Sequence, residues 1–248
     1  MPTAVVTGGA GGLGRAFAER LSDEGYDVVP VDLHGTEVAL DVTDPEACRA
    51  VAEAIRPDLW INNAGVTGKG DVLDQGDAEI ERIVAVNLLG VVHGSRAAAR
   101  SMLAHTGGTI VNVASLSGWA PTPHLAVYSG AKHGVRAFSV ALAAELRTTP
   151  VRVRCLLPDG IRTPMVDVHD PRQLMSFTGP RLLEPEEVAE AALRLVRSRR
   201  LVASVPRRRG AVVRALGLSP RVALGLQRTV ERRARRNRAR AAAREDGS

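Results

Sequence analysis

Thr3-Ala4-Val5-Val6-Thr7 runs without a break into Gly8-Gly9-Ala10-Gly11-Gly12-Leu13-Gly14, and Phe17, Ala18 and Leu21 then fall on one helical face. A short apolar run ending in Thr reads as a buried strand, and the residues after Gly14 read as a helix. Strand, glycine loop and helix in that order make a glycine cluster a phosphate site. The glycines allow a tight turn and let backbone approach a pyrophosphate, which then rests on the helix N-terminus. The plain alternative is a flexible turn, which the flanking strand and helix disfavour.

The spacing is Gly-x-x-x-Gly-x-Gly, over Gly8, Gly12 and Gly14, and not the Gly-x-Gly-x-x-Gly of the common dinucleotide fingerprint. A second strand, Tyr26 to Asp32, ends in an acid 18 residues past Gly14. A carboxylate there would accept from the adenosine ribose hydroxyls and repel a 2′-phosphate. Leu33 and His34 follow it, and the glycine loop has no Lys or Arg. These residues favour NAD over NADP.

Outward from this unit, strands and helices alternate. Strands are expected at Val38–Val42, Leu59–Ile61, Thr109–Ala114, Val151–Leu157 and Leu201–Val205. Helices are expected at Pro45–Ile55, Ile80–Arg100, from Tyr128 past Leu146, and Val188–Arg197 after Glu184-Pro185-Glu186-Glu187. The alternation predicts an α/β fold, a doubly wound parallel sheet in one domain. No internal repeat is visible. Residues 166–183 have no strong period and mix Val168, Leu174, Met175 and Phe177 with polar residues.

Chemistry concentrates in Tyr128-Ser129-Gly130-Ala131-Lys132. Residues four apart share a helix face, so phenol and ammonium can point into one pocket. A free tyrosine, with a pKa of about 10, is a poor proton donor or acceptor at neutral pH, and a nearby cation stabilises its phenolate. Asn87 sits mid-helix among apolar residues, where a buried amide is costly unless bonded.

The net charge of +6 is uneven. Residues 199–248 hold fifteen arginines against three acids, so residues 1–198 carry 18 basic and 24 acidic side chains. The body is mildly acidic and the tail strongly basic. No apolar run approaches the ~20 residues of a membrane span. The strand at Thr3 leaves no room for a signal or transit peptide ahead of it. Cys48 and Cys155 lack metal or disulfide spacing, which suits a reducing cytoplasm, and no His, Cys or acid cluster predicts a metal site. In the tail, Val212, Val213, Leu216 and Leu218 form an apolar run, Ser219-Pro220 starts a helix, and Val222, Leu226 and Val230 share one face before the arginines. That pattern suits peripheral contact with an anionic, inner membrane face, or a helix packed on its own or a neighbouring subunit. Without aromatic residues or a reading motif it does not suit nucleic acid.

Together these stretches resemble the short-chain dehydrogenase/reductase family. The resemblance runs from Thr3 to about Val205 on Thr7-Gly8-x-x-x-Gly12-x-Gly14, Asp41-Val42, Asn62-Asn63-Ala64-Gly65, Asn87, Ser115, Tyr128-x-x-x-Lys132 and Pro158 to Thr163. Ser115 precedes Tyr128 by thirteen residues, as in the family. It implies a single Rossmann-fold domain over residues 1–205 with helices on both faces, a lid at 165–183, and a basic helical extension at 206–248.

The implied activity is NAD(P)-dependent hydride transfer at CH–OH or carbonyl groups. Tyr128 would be the general acid/base. Lys132 would lower its pKa and hold the nicotinamide ribose, Ser115 would orient the substrate oxygen, and Asn87 would anchor a water reaching Lys132. The implied cofactor contacts are Gly8, Gly12, Leu13, Gly14, Asp32, Leu33, Asp41, Val42, Asn63, Ala64, Gly65, Tyr128, Lys132, Pro158, Ile161 and Thr163. The substrate would meet Trp119, His124, Leu125 and the lid. These are mostly apolar, which favours a hydrophobic secondary alcohol or ketone. The family also implies a homo-oligomer, dimer or tetramer, paired through the helices at 80–100 and 130–146.

This chain departs from the family's usual Pro-Gly at Pro158-Asp159, which adds bulk and charge beside the nicotinamide. A non-catalytic NAD-binding sensor or scaffold, and a lyase or epimerase on the same fold, remain open readings.

Overall fold

The computed structural model describes residues 1–68, 70–166, 170 and 178–245. Seven parallel strands form one sheet in the order β3-β2-β1-β4-β5-β6-β7. They are β1 (Thr3–Thr7), β2 (Asp27–Asp32), β3 (Val38–Ala39), β4 (Leu59–Asn62), β5 (Gly108–Val113), β6 (Val151–Pro158) and β7 (Val202–Val205). The helices are α1 (Gly12–Asp23), α2 (Pro45–Ile55), α3 (Asp77–Val84), α4 (Gly90–Leu103), α5 (Ala126–Glu145), α6 (Pro185–Val196), α7 (Arg207–Gly217) and α8 (Pro220–Glu245).

Strand periodicity sorts side chains to the two faces. Ala4, Val6, Leu59 and Ile61 pack on α1 and α6, through Phe17, Leu21, Val188 and Leu193. Val5 and Trp60 point the other way, onto α2 and α4 through Cys48, Ala98 and Met102. α5 covers the far end of that second face through Val135, against Cys155 and Leu157. Helices thus lie on both faces, and the strand order reverses between β1 and β4, where a crevice opens at the strands' carboxyl ends.

A chain of buried polar contacts ties the centre together. Trp60 Nε1 donates to Asn62 Oδ1 at 2.7 Å, and Asn62 Nδ2 to Asn112 Oδ1 at 2.8 Å and Ser95 Oγ at 3.0 Å. Asn112 Nδ2 donates to Ser139 Oγ at 3.0 Å. Every partner is buried, so the network fixes β4 and β5 against α4 and α5.

Two expected elements differ. The strand at Val38–Val42 ends after Ala39, because the Asp41 carboxylate accepts from Thr43 N and Oγ1 at 2.8 and 2.7 Å and turns the chain. The helix expected from Ile80 to Arg100 starts at Asp77 and contains a π turn over Ala85–Leu89 between α3 and α4. The basic tail packs along the body as α7 and α8. Much of the expected lid, with Val168, His169, Leu174, Met175 and Phe177, lies outside the described residues.

Candidate active site

The glycine loop is shaped by contact. Gly8 takes φ +68, and a Cβ there would stand 2.8 Å from Ala64 Cα. At Gly14 a Cβ would lie 2.0 Å from Gly8 O, so only glycine lets α1 sit this close to β1. Thr7 Oγ1 accepts from Asn63 N and Ala64 N, both at 3.0 Å, while Asn63 Nδ2 donates back to Thr7 O at 3.0 Å and Gly8 O at 3.2 Å. The ends of β1 and β4 are thereby clamped.

The N-cap of α1 is Gly11, which offers no side-chain cap, and the first turn has no acid. First-turn N–H groups left without a side-chain acceptor suit a pyrophosphate. At the end of β2, Asp32 Oδ2 accepts from Ala10 N at 3.1 Å and Oδ1 from Leu33 N at 2.8 Å. Each carboxylate oxygen keeps a lone pair, so Asp32 both braces the loop and can meet a ribose.

The residues expected to handle the proton meet opposite this cradle. Lys132 is buried, with Nζ donating to Val113 O at 3.0 Å and standing 5.6 Å from the centre of the Tyr128 ring. Burial lowers its pKa to about 8. Tyr128 is half-buried and lines the cleft; burial raises its phenol, and a hydrogen bond with Ser115 pulls it down.

Asn87 sits inside the π turn. Its Nδ2 donates to Val66 O at 2.8 Å and Ile83 O at 2.9 Å, and Oδ1 accepts from Val66 N at 3.3 Å. These backbone contacts satisfy the buried amide. A Cβ on Gly65 would lie 2.9 Å from Asn87 Oδ1 and 3.8 Å from Lys132 Nζ, so glycine is what keeps the space between them open.

All eighteen site residues expected from the sequence line one cleft of about 1420 Å³. Trp119 and His124 do not. The Trp119 ring lies between Arg136 and Arg214, 4.3 and 4.9 Å from their guanidinium carbons, and Nε1 donates to Ser204 Oγ at 3.0 Å. His124 adopts φ +61 with Nδ1 2.5 Å from Asp71 Oδ1. Leu125 does line the cleft, together with residues that sequence reasoning left outside it: Val212, Val213, Leu216, Leu224, Leu226 and Val230 of α7 and α8. Leu125 and Ala234 are buried together, with Tyr128 and Val230 packed against them.

Asp159 stands in the same wall. Its side chain is 7% exposed and pairs with Arg209 of α7, whose Nη2 also donates to Thr178 Oγ1 at 2.8 Å. Burial raises the Asp159 carboxyl, and Arg209 opposes that rise. Among the described residues no group of three His, Cys, Asp or Glu could hold a metal ion, and no helix is long and apolar enough to cross a membrane.

Against known proteins, residues 2–173 match the short chain dehydrogenase family. The chain belongs to that family. Among its curated relatives is the probable oxidoreductase EphD of Mycobacterium tuberculosis, 36% identical over 184 residues. That match takes in 65% of this chain and 31% of EphD, so the chain spans about a third of that relative's length. The 3-oxoacyl-acyl-carrier-protein reductase FabG of Haemophilus influenzae is 33% identical over 211 residues, 76% of this chain and 87% of that protein. A Burkholderia phymatum short chain dehydrogenase/reductase solved in complex with NAD is 26% identical, with a TM-score of 0.76 over 86% of this chain and 92% of that one. The proteins it is similar to thus include a probable oxidoreductase, a reductase and a dehydrogenase/reductase solved with NAD.

Proposed function

We propose that the protein interconverts a hydrophobic secondary alcohol and its ketone with NAD(H). The observation that carries this reading is the placement of Ser115, Tyr128 and Lys132 across an apolar-walled cleft from the glycine cradle. When bound there, the nicotinamide supplies or accepts the hydride. In the reducing direction the Ser115 hydroxyl donates to the substrate oxygen and fixes its position. The Tyr128 hydroxyl gives its proton to that oxygen as negative charge develops on it. The Lys132 ammonium then faces the phenolate left behind. Asn87 holds Val66 and the π turn behind Lys132, and its Oδ1 keeps a lone pair on the Gly65 side where a bridging water can bind.

Asp32, with no basic residue in the glycine loop, supports NAD over NADP, since a 2′-phosphate beside a fixed carboxylate is repelled. The walls formed by Leu125, Leu216 and Val230 support an apolar substrate. Exposed Leu103 on α4 and Val140 on α5 support pairing of subunits into a dimer or tetramer through those helices. Cys48 and Cys155, both free and buried with thiols pushed up to about 11, are consistent with a cytoplasmic protein. Peripheral attachment at the inner membrane face belongs to the same reading, because the extension that walls the cleft is the basic part of the chain.

The test is a panel of secondary alcohols of increasing chain length, offered with NAD and with NADP while NADH or NADPH absorbance is followed. Turnover with NAD that improves with chain length is expected. Tight NAD binding with no turnover of any alcohol or ketone would favour a sensor and end this reading.

A further inference from the structure

The turn between α7 and α8 presents large apolar side chains to solvent. Leu218 is 82% exposed, Leu224 68% and Val222 52%. Single exposed leucines are common, but three within seven residues at one corner are not explained by packing. The corner cannot fold inward to bury them, because its approach is fixed. A Cβ at Gly217 would lie 2.0 Å from Trp119 O, so the chain there is pressed against the Trp119 loop. Further along, Ala234 is buried against the Tyr128 wall, and Asn237 Nδ2 donates to Gly179 O.

Charge follows the same geometry. Positions 221, 224, 228, 232 and 235 recur at helical spacing on one stripe of α8. Arg221, Arg228, Arg232 and Arg235 on that stripe are all exposed, with Leu224 among them. Leu224 also lines the cleft, so the apolar lining continues to the outer surface at this corner.

We propose that the α7–α8 corner docks on an anionic lipid surface, inserting Leu218 and Val222 while the arginine stripe meets the headgroups, so that the cleft opens toward the bilayer. The charge sign selects the partner, since apolar residues beside arginines match lipid with negative headgroups. A substrate partitioned into lipid would then reach Tyr128 past Leu224 without crossing water. The docking deepens the membrane attachment proposed above by naming its surface, and the loading route rests in addition on the apolar-substrate reading.

Flotation of the full chain with vesicles tests it. The expected result is binding to phosphatidylcholine vesicles containing phosphatidylglycerol and none to phosphatidylcholine alone. The L218D/V222D variant changes two exposed residues outside the cleft lining, so its circular dichroism, NAD binding and turnover of a short water-soluble alcohol should match the wild type. Its vesicle binding should fall about tenfold or more. Failure of the wild type to float overturns the proposal, as does undiminished flotation of L218D/V222D. Light scattering in which the wild type forms a larger oligomer than L218D/V222D without lipid assigns the corner to a second copy instead. Equal affinity for duplex DNA and for vesicles would likewise overturn it. Flotation without turnover of any apolar alcohol sinks the substrate reading alone and leaves the docking standing.

Discussion

Asp159 at the end of β6 and Arg209 on α7 form an ion pair that fastens the C-terminal extension to the sheet. An acid where the family usually has glycine looks unfavourable in sequence, because a buried carboxylate without a partner is expensive. Arg209 answers that cost from 50 residues away. The two residues thus act as one device, and the extension they hold becomes a wall of the cleft.

Arg209→Ala should destabilise the fold by about 3 kcal/mol, since it strands a buried carboxylate. D159G/R209A should recover most of that loss, because no charge is left without its partner. The deficit of R209A should shrink as pH falls toward 4. There the buried carboxyl, whose folded pKa is raised, takes up its proton and so does the unfolded chain. Urea unfolding of the wild type and both variants at neutral and acid pH measures this, and a pH-independent deficit would disprove the account.

Tyr128→Phe should lower kcat by about a thousandfold with NADH affinity nearly unchanged, because the ring packing against Leu125 and Val230 survives and only the proton donor is lost. Ser115→Ala should cost less, on the order of a hundredfold, since it removes the hydroxyl that orients the oxygen but leaves the phenol in place. Single-turnover kinetics with NADH fluorescence separates binding from chemistry. Full activity in Tyr128→Phe would refute the mechanism.

Lys132→Met should abolish turnover yet raise stability at pH 7. The ammonium is buried and its pKa is lowered to about 8 from 10.5, so the folded state holds the charge at a cost at every pH below 8. As pH rises from 8 toward 10.5 the folded protein sheds the proton before the unfolded chain does, and the wild type gains stability. The gap between variant and wild type should therefore narrow over that range. Losing the Nζ bond to Val113 O offsets about 1 kcal/mol of the gain. Thermal melts across pH 7 to 10 check the sign.

Asp32→Asn and Asp32→Ala separate two jobs of one carboxylate. The Asn variant keeps an oxygen for Ala10 N or Leu33 N and loses the charge, so NADP should gain on NAD by roughly tenfold with little change in stability. The Ala variant also unbraces the glycine loop and should weaken both cofactors. Kd values by fluorescence titration decide; unchanged NAD-to-NADP selectivity in Asp32→Asn would show that the charge does not discriminate.

Much of the site was legible because its residues serve local geometry. Gly8 and Gly14 stand where side chains would collide, Asp32 where β2 ends, and Tyr128 and Lys132 one helical turn apart. The π turn around Asn87 was not legible, because it depends on Val66, which arrives from a loop 21 residues earlier. Trp119 and His124 were placed at the substrate from their position in the chain. Their partners Arg136, Arg214 and Asp71 come from other elements and turn them aside.

By itself the sequence determined the alternation of strands and helices, the glycine loop and the spacing of Tyr128 and Lys132. Periodicity and steric demand act over a few residues, so they leave a record along the chain. Tertiary structure alone decided that Asp159 has a partner and that α7 and α8 wall the cleft. Those are contacts between segments tens of residues apart, where neither segment carries a pattern that names the other.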